Sequence, residues 1–319
     1  MTGRATRAAG PGGRTTRGEE MTIEDATHPL DVEAARPPSY YDGYTGYDPA
    51  FLHSAVPLPV LTEEQRRNAA KRTAAAPGED PSVLPYTHFS VVMNRVRQLA
   101  YYTAVNVDGA QLVDFPRDRD RWYFDPRIAE SEQIGEELYR RNALDRGHLV
   151  RRLDPVWGPD PERPDGDTFH FTNCSPQHER FNQGSDLWQG LENYILDHAD
   201  VRDRRLSVFT GPVLDEDDPL YKGVRLPLAF WKVVAYDRTD GSLAVAAYLL
   251  EQARLVEDLL AAEARFDPGM YRVGLAHLEE RTGLDFRHLR GAELPLSSTG
   301  LEAVADRVRI RGDYSNVVL

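Results

Sequence analysis

Apolar side chains recur along the chain in short blocks separated by polar turns. The blocks His88-Phe89-Ser90-Val91-Val92-Met93 and Ala100 to Val107 have strand composition, and Asp108-Gly109 supplies a turn after them. Trp122 to Phe124, Thr168 to Thr172, Leu206 to Thr210, Ala229 to Tyr236 and Leu243 to Leu250 read the same way, with Asp240-Gly241 as a hairpin turn between the last two. Helical spacing is rarer. Leu187, Leu191, Tyr194, Ile195 and His198 line one face of a helix that Ser185 or Asp186 would cap, and Met270 to Arg281 forms a second amphipathic run. Thr62 and Gln65 have capping-box spacing, which predicts a polar helix to about Ala75, ended by Pro77-Gly78. Strands joined mostly by turns, with helices inserted at a few places, predict an α+β domain: a central antiparallel sheet with flanking helices.

Residues 1–50 break this pattern. They are rich in Gly, Pro, Thr, Arg and acidic residues, with too few apolar side chains to offset the entropy of ordering, so a disordered N-terminal segment is expected, followed by one domain over 51–319. Tyr40, Tyr41, Tyr44 and Tyr47 would then be the end of a flexible tail resting on the domain, or a docking stripe. The chain of 319 residues is 41% apolar and 28% charged, an ordinary globular balance. No apolar run would span a bilayer, and Met1 to Glu20 lacks the apolar core of a secretory signal, so no membrane association and a cytoplasmic location are expected, with export by another route left open. The lone cysteine, Cys174, excludes an internal disulfide and a four-thiolate zinc site. A net charge of −13 argues against a surface that coats nucleic acid as a whole, but leaves room for a local basic site.

Such a site is visible. The stretch Arg140 to Arg152 holds five arginines and one aspartate. Guanidinium groups bind phosphate bidentately and stay charged at working pH, so this is a footprint for a phosphodiester; the alternative is an exposed, salt-bridged strand. Within it, Asp145-Arg146-Gly147-His148 places an imidazole two residues from an arginine, pairing a base with a phosphate clamp, and the glycine allows close backbone approach. Further on come Asn173, Ser175-Pro176-Gln177, Asn182-Gln183-Gly184, and Trp188 with Leu191-Glu192. The neutral amide oxygen of an asparagine suits Mg²⁺, although an isolated asparagine is more often a cap or turn residue.

Taken in order, over the 48 residues from Asp145 to Glu192, these motifs resemble the DNA/RNA non-specific endonucleases, which are ββα-metal (His-Me finger) nucleases. A weaker resemblance extends from about Tyr86 to Glu251. The resemblance implies a ββα-metal element over roughly Arg146 to Leu196 and hydrolysis of DNA and RNA with little sequence specificity, leaving 5′-phosphate ends. It implies His148 as general base, Arg146 as the group holding the phosphate in the transition state, and Asn182 as the direct protein ligand of one Mg²⁺ or Mn²⁺. Glu192 would orient metal-bound water, Asn173 and Asp145 would support the site, and Arg151 and Arg121 would bind substrate. Two departures stand out. Ser185-Asp186-Leu187 intervene before Trp188 and move Glu192 two residues further from Asn182, and Asp120 stands where the family often has a substrate-binding arginine, for which Arg119 or Arg121 would compensate.

Competing readings remain open at this point. His170, Cys174 and His178 recur at intervals of four, as zinc ligands on a helix face would, but the aromatic and β-branched neighbours and Pro176 oppose a helix there. The fold would also serve a nucleic-acid-binding or interaction module without catalysis, or a phosphodiesterase of narrower substrate. A non-specific nuclease inside a cell would need an inhibitor protein, a toxin-delivery route or export, and oligomeric state has no signature in the chain.

Overall fold

The apolar blocks become strands buried on both faces. The molecule is represented by a computed structural model, which describes residues 36–117, 121–184, 187–201, 204–261, 269–296, 303–304 and 307–310. In chain order the strands are β1 (Val83–Pro85), β2 (Phe89–Asn94), β3 (Leu99–Asp108), β4 (Leu144–His148), β5 (Cys174–His178), β6 (Arg205–Val213), β7 (Leu220–Tyr221), β8 (Val224–Arg225), β9 (Ala229–Asp237), β10 (Leu243–Glu251), β11 (Gly269–Val273), β12 (Ala303–Val304) and β13 (Arg307–Arg309). The helices are α1 (Glu63–Asn68), α2 (Glu162–Asp167), α3 (Glu179–Asn182), α4 (Trp188–Val201), α5 (Ala253–Ala261) and α6 (Leu275–Thr282). Among the described residues, nine strands pair in the order β1-β2-β3-β6-β9-β10-β11-β13-β12, with every ladder antiparallel. The α+β architecture expected from the sequence is the one observed.

The two-residue period of the strands sorts their side chains into two cores. Phe230, Val234, Ala246 and Tyr248 face one side, where Trp188, Leu191 and Ile195 of α4 cover them. Trp231, Val233, Val245 and Leu249 face the other, against Leu275 and Leu278 of α6 and Phe286. Between such layers a strand needs no polar face, which explains the near-continuous apolar runs of β9 and β10. β4 and β5 form a separate two-stranded unit, and Leu149, Val150 and Phe181, which flank it, belong to the core under α4. The sheet and α4 thus supply the rigid base on which this small unit is mounted.

Four expectations change. The helix expected from Thr62 to Ala75 has its Thr62–Gln65 capping box but stops at Asn68, because Ala69 and Ala70 turn to pair with the β2 edge at Asn94 and Met93. Trp122–Phe124 and Thr168–Thr172 are not strands; they touch through one bridge, Tyr123 with His170, and the second segment tightens into a 3₁₀ turn at Phe171–Asn173. Its buried Thr168, His170 and Asn173 make side-chain hydrogen bonds that compete with a ladder. The run from Met270 to Arg281 splits at Gly274 into strand β11 and helix α6. The fourth concerns the N-terminal segment: residues 1–35 lie outside the described residues, whereas 36–50 pack on the domain. The tyrosines make this possible, since each finds a polar partner for its hydroxyl. Tyr40 and Tyr44 donate to Asp167 at 2.8 and 2.7 Å, Tyr41 meets His170 Nε2 at 2.7 Å, and Tyr47 donates to the Val56 carbonyl at 2.7 Å. The proposed caps Ser185 and Asp186, and the positions Arg119 and Asp120, also lie outside the described residues.

Gly147 has a packing role in this unit. It faces Ser175 across the β4–β5 ladder, and a Cβ at this position would collide with the fully buried carboxamide of Gln177. Gly147→Ala is therefore expected to destabilise the fold by about 1–3 kcal/mol, the cost of overpacking a closed site. Adding Gln177→Ala should recover part of that loss in thermal or denaturant unfolding, giving a non-additive pair.

Candidate active site

The site is assembled on β4. Its register with β5 pairs Asp145 with Gln177, Arg146 with Pro176 and His148 with Cys174. Leu144 is buried beside Phe171 and Cys174, which anchors the start of the strand in the core under Trp122. From there Asp145, Arg146 and His148 reach a cleft of about 700 Å³, which Arg151, Asn182 and Glu192 also line. Arg117 and Arg152 complete its basic wall.

Each member is held by a distinct contact. Arg146 forms an ion pair with Glu136, a buried carboxylate on the 3₁₀ turn Glu136–Leu138, and lies 5.6 and 6.0 Å from the ring centres of Trp122 and Tyr139. The guanidinium is thereby fixed in direction while retaining further donors for an anion. The His148 ring packs against Trp122 at 4.9 Å and edge-on to Phe169 at 5.1 Å. Just beyond it, Asn173 clamps the exit of the strand: its Oδ1 accepts from the Val150 amide at 2.9 Å, and its Nδ2 donates to the Val150 and Thr168 carbonyls at 3.0 and 2.9 Å. Asn173 is fully buried and lies beneath the cleft rather than in it.

Asn182 closes α3, a single turn whose N-cap, His178, accepts the Arg180 amide at its Nδ1 at 3.2 Å. The Asn182 amide nitrogen donates to Asp145 Oδ2 at 2.9 Å, and Gln183 Nε2 donates to the same oxygen at 2.8 Å. A carboxylate can only accept, so this contact fixes which end of the Asn182 carboxamide is turned to Asp145. Its Oδ1 is left as a neutral, hard donor. Among the described residues no group of three His, Cys, Asp or Glu side chains gathers as a metal site. This donor set suits a hard ion that keeps most of its waters, as Mg²⁺ does, and does not suit zinc.

Glu192 arrives from the first turns of α4 in spite of the extra residues before Trp188. It is 9% exposed and faces Lys232 Nζ at 3.5 Å, an ion pair at the outer limit of hydrogen bonding. Lys232, 1% exposed in the middle of β9, also donates to Thr210 Oγ1 at 2.9 Å and lies 4.8 Å from the Trp188 ring centre. Burial pushes the Glu192 carboxyl up and the nearby Asp154 adds to this, while Lys232 and Arg151 oppose them; the result is about 7. Asp154 is itself raised by burial.

Of the five arginines in the basic stretch, Arg146, Arg151 and Arg152 line the cleft and Arg140 and Arg141 do not. Arg151 is tethered to Asn193 Oδ1 at 2.6 Å and Arg152 to Asp165 at 2.5 Å. Arg121 is not among the residues lining this cleft; it lines a neighbouring hollow that shares Arg117 with it. The candidate zinc ligands are engaged elsewhere: His170 with Tyr41, His178 as the α3 cap, and Cys174 buried near the Tyr139 hydroxyl, its thiol pushed up to about 12 by burial.

The sequence assigned no role to Glu136, Lys232 or Asp154, although the segment Phe230-Trp231-Lys232 takes part in the weaker family resemblance. Lys232 had a usable signal, a lone charge inside the run Ala229-Phe230-Trp231-Lys232-Val233-Val234, since a lysine in a buried strand needs a partner. Glu136 carries none, because a glutamate in a short polar turn has the composition of any exposed loop.

Comparison with known proteins bears on the same residues. The family model described as DNA/RNA non-specific endonuclease matches residues 68–291. An uncharacterized protein, y4fB, of Sinorhizobium fredii is 38% identical over 92% of this chain and 48% of its own length. Nucleases of Serratia marcescens and a Nostoc species are each 26% identical, over 51% and 48% of this chain and 59% and 54% of their own. The chain thus spans about half the length of the curated relatives it matches. The crystal structure of the EndoG/EndoGI complex contains a chain of like fold, with a TM-score of 0.50 and 21% identity over 66% of this chain and 86% of that one. With a matched region that includes the whole of the β4–β5–α3–α4 unit, the chain belongs to the DNA/RNA non-specific endonuclease family.

Proposed function

We propose that this protein is a metal-dependent endonuclease that hydrolyses phosphodiester bonds of DNA and RNA with little sequence specificity, leaving 5′-phosphate ends. The observation that carries this reading is the Asp145 carboxylate gripping the amide nitrogen of Asn182 in the cleft that also holds His148 and Arg146. That contact turns an ordinary turn residue into an oriented oxygen donor. Asn182 Oδ1 would hold one Mg²⁺ or Mn²⁺, which when bound supplies positive charge to the scissile phosphate and the departing 3′ oxygen.

The chain's own residues then do the rest. His148, as the neutral imidazole, takes a proton from the attacking water. Arg146, braced by Glu136, donates to the phosphate oxygens as negative charge builds on them, and being already oriented it loses little on binding. Arg151 and Arg152 extend the phosphate-binding wall, joined by Arg117, which precedes the motif in sequence and lines the same cleft. Glu192, when ionised, accepts hydrogen bonds from water in the cleft and orients it. Family relatives that are nucleases, and a structural relative crystallised with EndoGI, support the substrate class and make a protein inhibitor a fitting partner.

His148→Ala should remove nearly all turnover of supercoiled plasmid and structured RNA in Mg²⁺ while leaving the unfolding midpoint near that of the wild type. Asn182→Ala should raise the Mg²⁺ concentration needed for half-maximal rate and lower the maximum. Wild-type cleavage by either purified variant would overturn the reading, and tight binding without any cleavage by the wild type would leave a binding module in its place.

The pH dependence has a definite sign. Burial raises the Glu192 carboxyl to about 7, so it is protonated below that pH and ionised above it, and activity should fall as pH drops through 7. Glu192→Gln should remove this ionisation and make the acidic limb of log kcat against pH shallower. Lys232→Met, which deletes the cation that favours the charged carboxylate, should move the limb upward by about one pH unit.

A further inference from the structure

Next to the cleft lies a second hollow of comparable size, about 710 Å³, that shares Arg117 with it. Its lining comes partly from the N-terminal segment, through Arg36 and Tyr40, and partly from Phe115, Arg121 and Tyr123. Arg36 is placed in an unusual way for a structural arginine. Its guanidinium carbon lies 4.2 Å from the Tyr123 ring centre and 4.8 Å from that of Tyr40, and its buried Nε has no hydrogen-bond partner. The cation lies over two rings, and among the described residues no carboxylate pairs with it. By contrast, Arg127 and Arg152 are each paired with an aspartate. Of the three acidic residues that line the hollow, Asp160, Glu162 and Asp165, the last is paired with Arg152 at 2.5 Å.

A cation lying over the rings of Tyr123 and half-exposed Tyr40, with half-exposed Phe115 in the same hollow, makes a platform for a flat, π-rich group, and the basic lining suits a flanking phosphate. A cavity of this volume accommodates a nucleotide. Bases within a duplex are stacked and paired, so only an unpaired base can enter.

Resting on the nuclease reading of the adjoining cleft, the geometry points to this hollow as a subsite for an unpaired nucleotide of the substrate strand, next to the one whose phosphodiester is cut, with Arg36 and Tyr40 as its stacking platform. The N-terminal segment is then part of the substrate-binding surface, and single-stranded DNA or RNA is favoured over duplex.

The test compares the purified full chain with Arg36→Ala and Arg36→Lys in Mg²⁺ on three substrates: bis(p-nitrophenyl) phosphate, which fills the cleft alone, a single-stranded oligonucleotide, and the same oligonucleotide carrying abasic residues. Arg36→Ala should raise KM for the intact oligonucleotide about tenfold, the scale of one stacking contact. Turnover of the small diester should be unchanged, which also reports an intact fold. Arg36→Lys, which keeps the charge but not the plane, should fall between the two. On the abasic oligonucleotide wild type and variants should converge. Equal KM values for wild type and both variants on all substrates, with small-diester turnover retained, would overturn the subsite. Should the wild type turn over none of the three, the nuclease reading fails instead, and fluorescence anisotropy of the labelled oligonucleotide decides the hollow: equal affinity of wild type and Arg36→Ala overturns it, and weaker binding by the variant upholds it.

Discussion

The contact between Asp145 and Asn182 ties together everything else in the site. It joins the strand that carries Arg146 and His148 to the helical turn that follows β5, and it does so with an acceptor-only group, which dictates how the asparagine amide must face. Gln183 donates to the same oxygen, so the carboxylate holds two consecutive residues of the chain. A single Asn oxygen is a weak anchor for a hard cation, and weak anchors act only if they are pre-oriented. The geometry here supplies that orientation before any ligand arrives.

The same logic of bracing recurs around the cleft, and it explains how an acidic protein can present a basic site. Arg146, Arg151 and Arg152 are each fixed by a partner, Glu136, Asn193 and Asp165 respectively, so the pull the cleft exerts on an anion depends on their direction as much as on their charge. Glu192 and Lys232 form a buried pair in which the desolvation of both groups offsets much of their attraction, leaving the glutamate poised near neutrality rather than fully ionised. A buried ion pair of this kind is weak evidence for stability. Its value lies in putting a titratable carboxyl into the cleft on a helix that the sheet holds rigid.

Much of this was legible in the sequence. The strands β2, β3, β6, β9 and β10 were visible from β-branched and aromatic runs, and the order Asp145-Arg146-Gly147-His148, Asn173, Asn182, Glu192 marked out the residues that the fold gathers. What was not legible shares one physical cause: it depends on partners distant in sequence. Glu136 acquires its role only because Arg146 turns toward it. The segments Trp122–Phe124 and Thr168–Thr172 have strand composition, yet Tyr86, Asp125, Thr172 and Asp167 draw their polar groups into side-chain networks instead of a ladder. Which groups the end of the tail around Tyr40, Tyr41 and Tyr44 would rest on was not legible, because their partners, Asp167 and His170, lie far along the chain.

That last network has a consequence for the cleft. Asp167 accepts from Tyr40, Tyr44 and Thr87, and His170 meets Tyr41, so the N-terminal segment braces the loop that continues through Phe169 and Asn173. Phe169 packs edge-on against the His148 ring, and Asn173 clamps the residues that follow His148. The His148 ring, the proposed general base, is therefore supported through two shells of contacts whose outermost members come from a segment of low apolar content. Fully satisfied networks of this kind specify one arrangement more sharply than apolar packing does, because any alternative strands a buried donor or acceptor. The aromatic N-terminal segment, from Arg36 on, is in this sense a structural part of the domain, and its packing follows from hydrogen bonding as well as from hydrophobic burial.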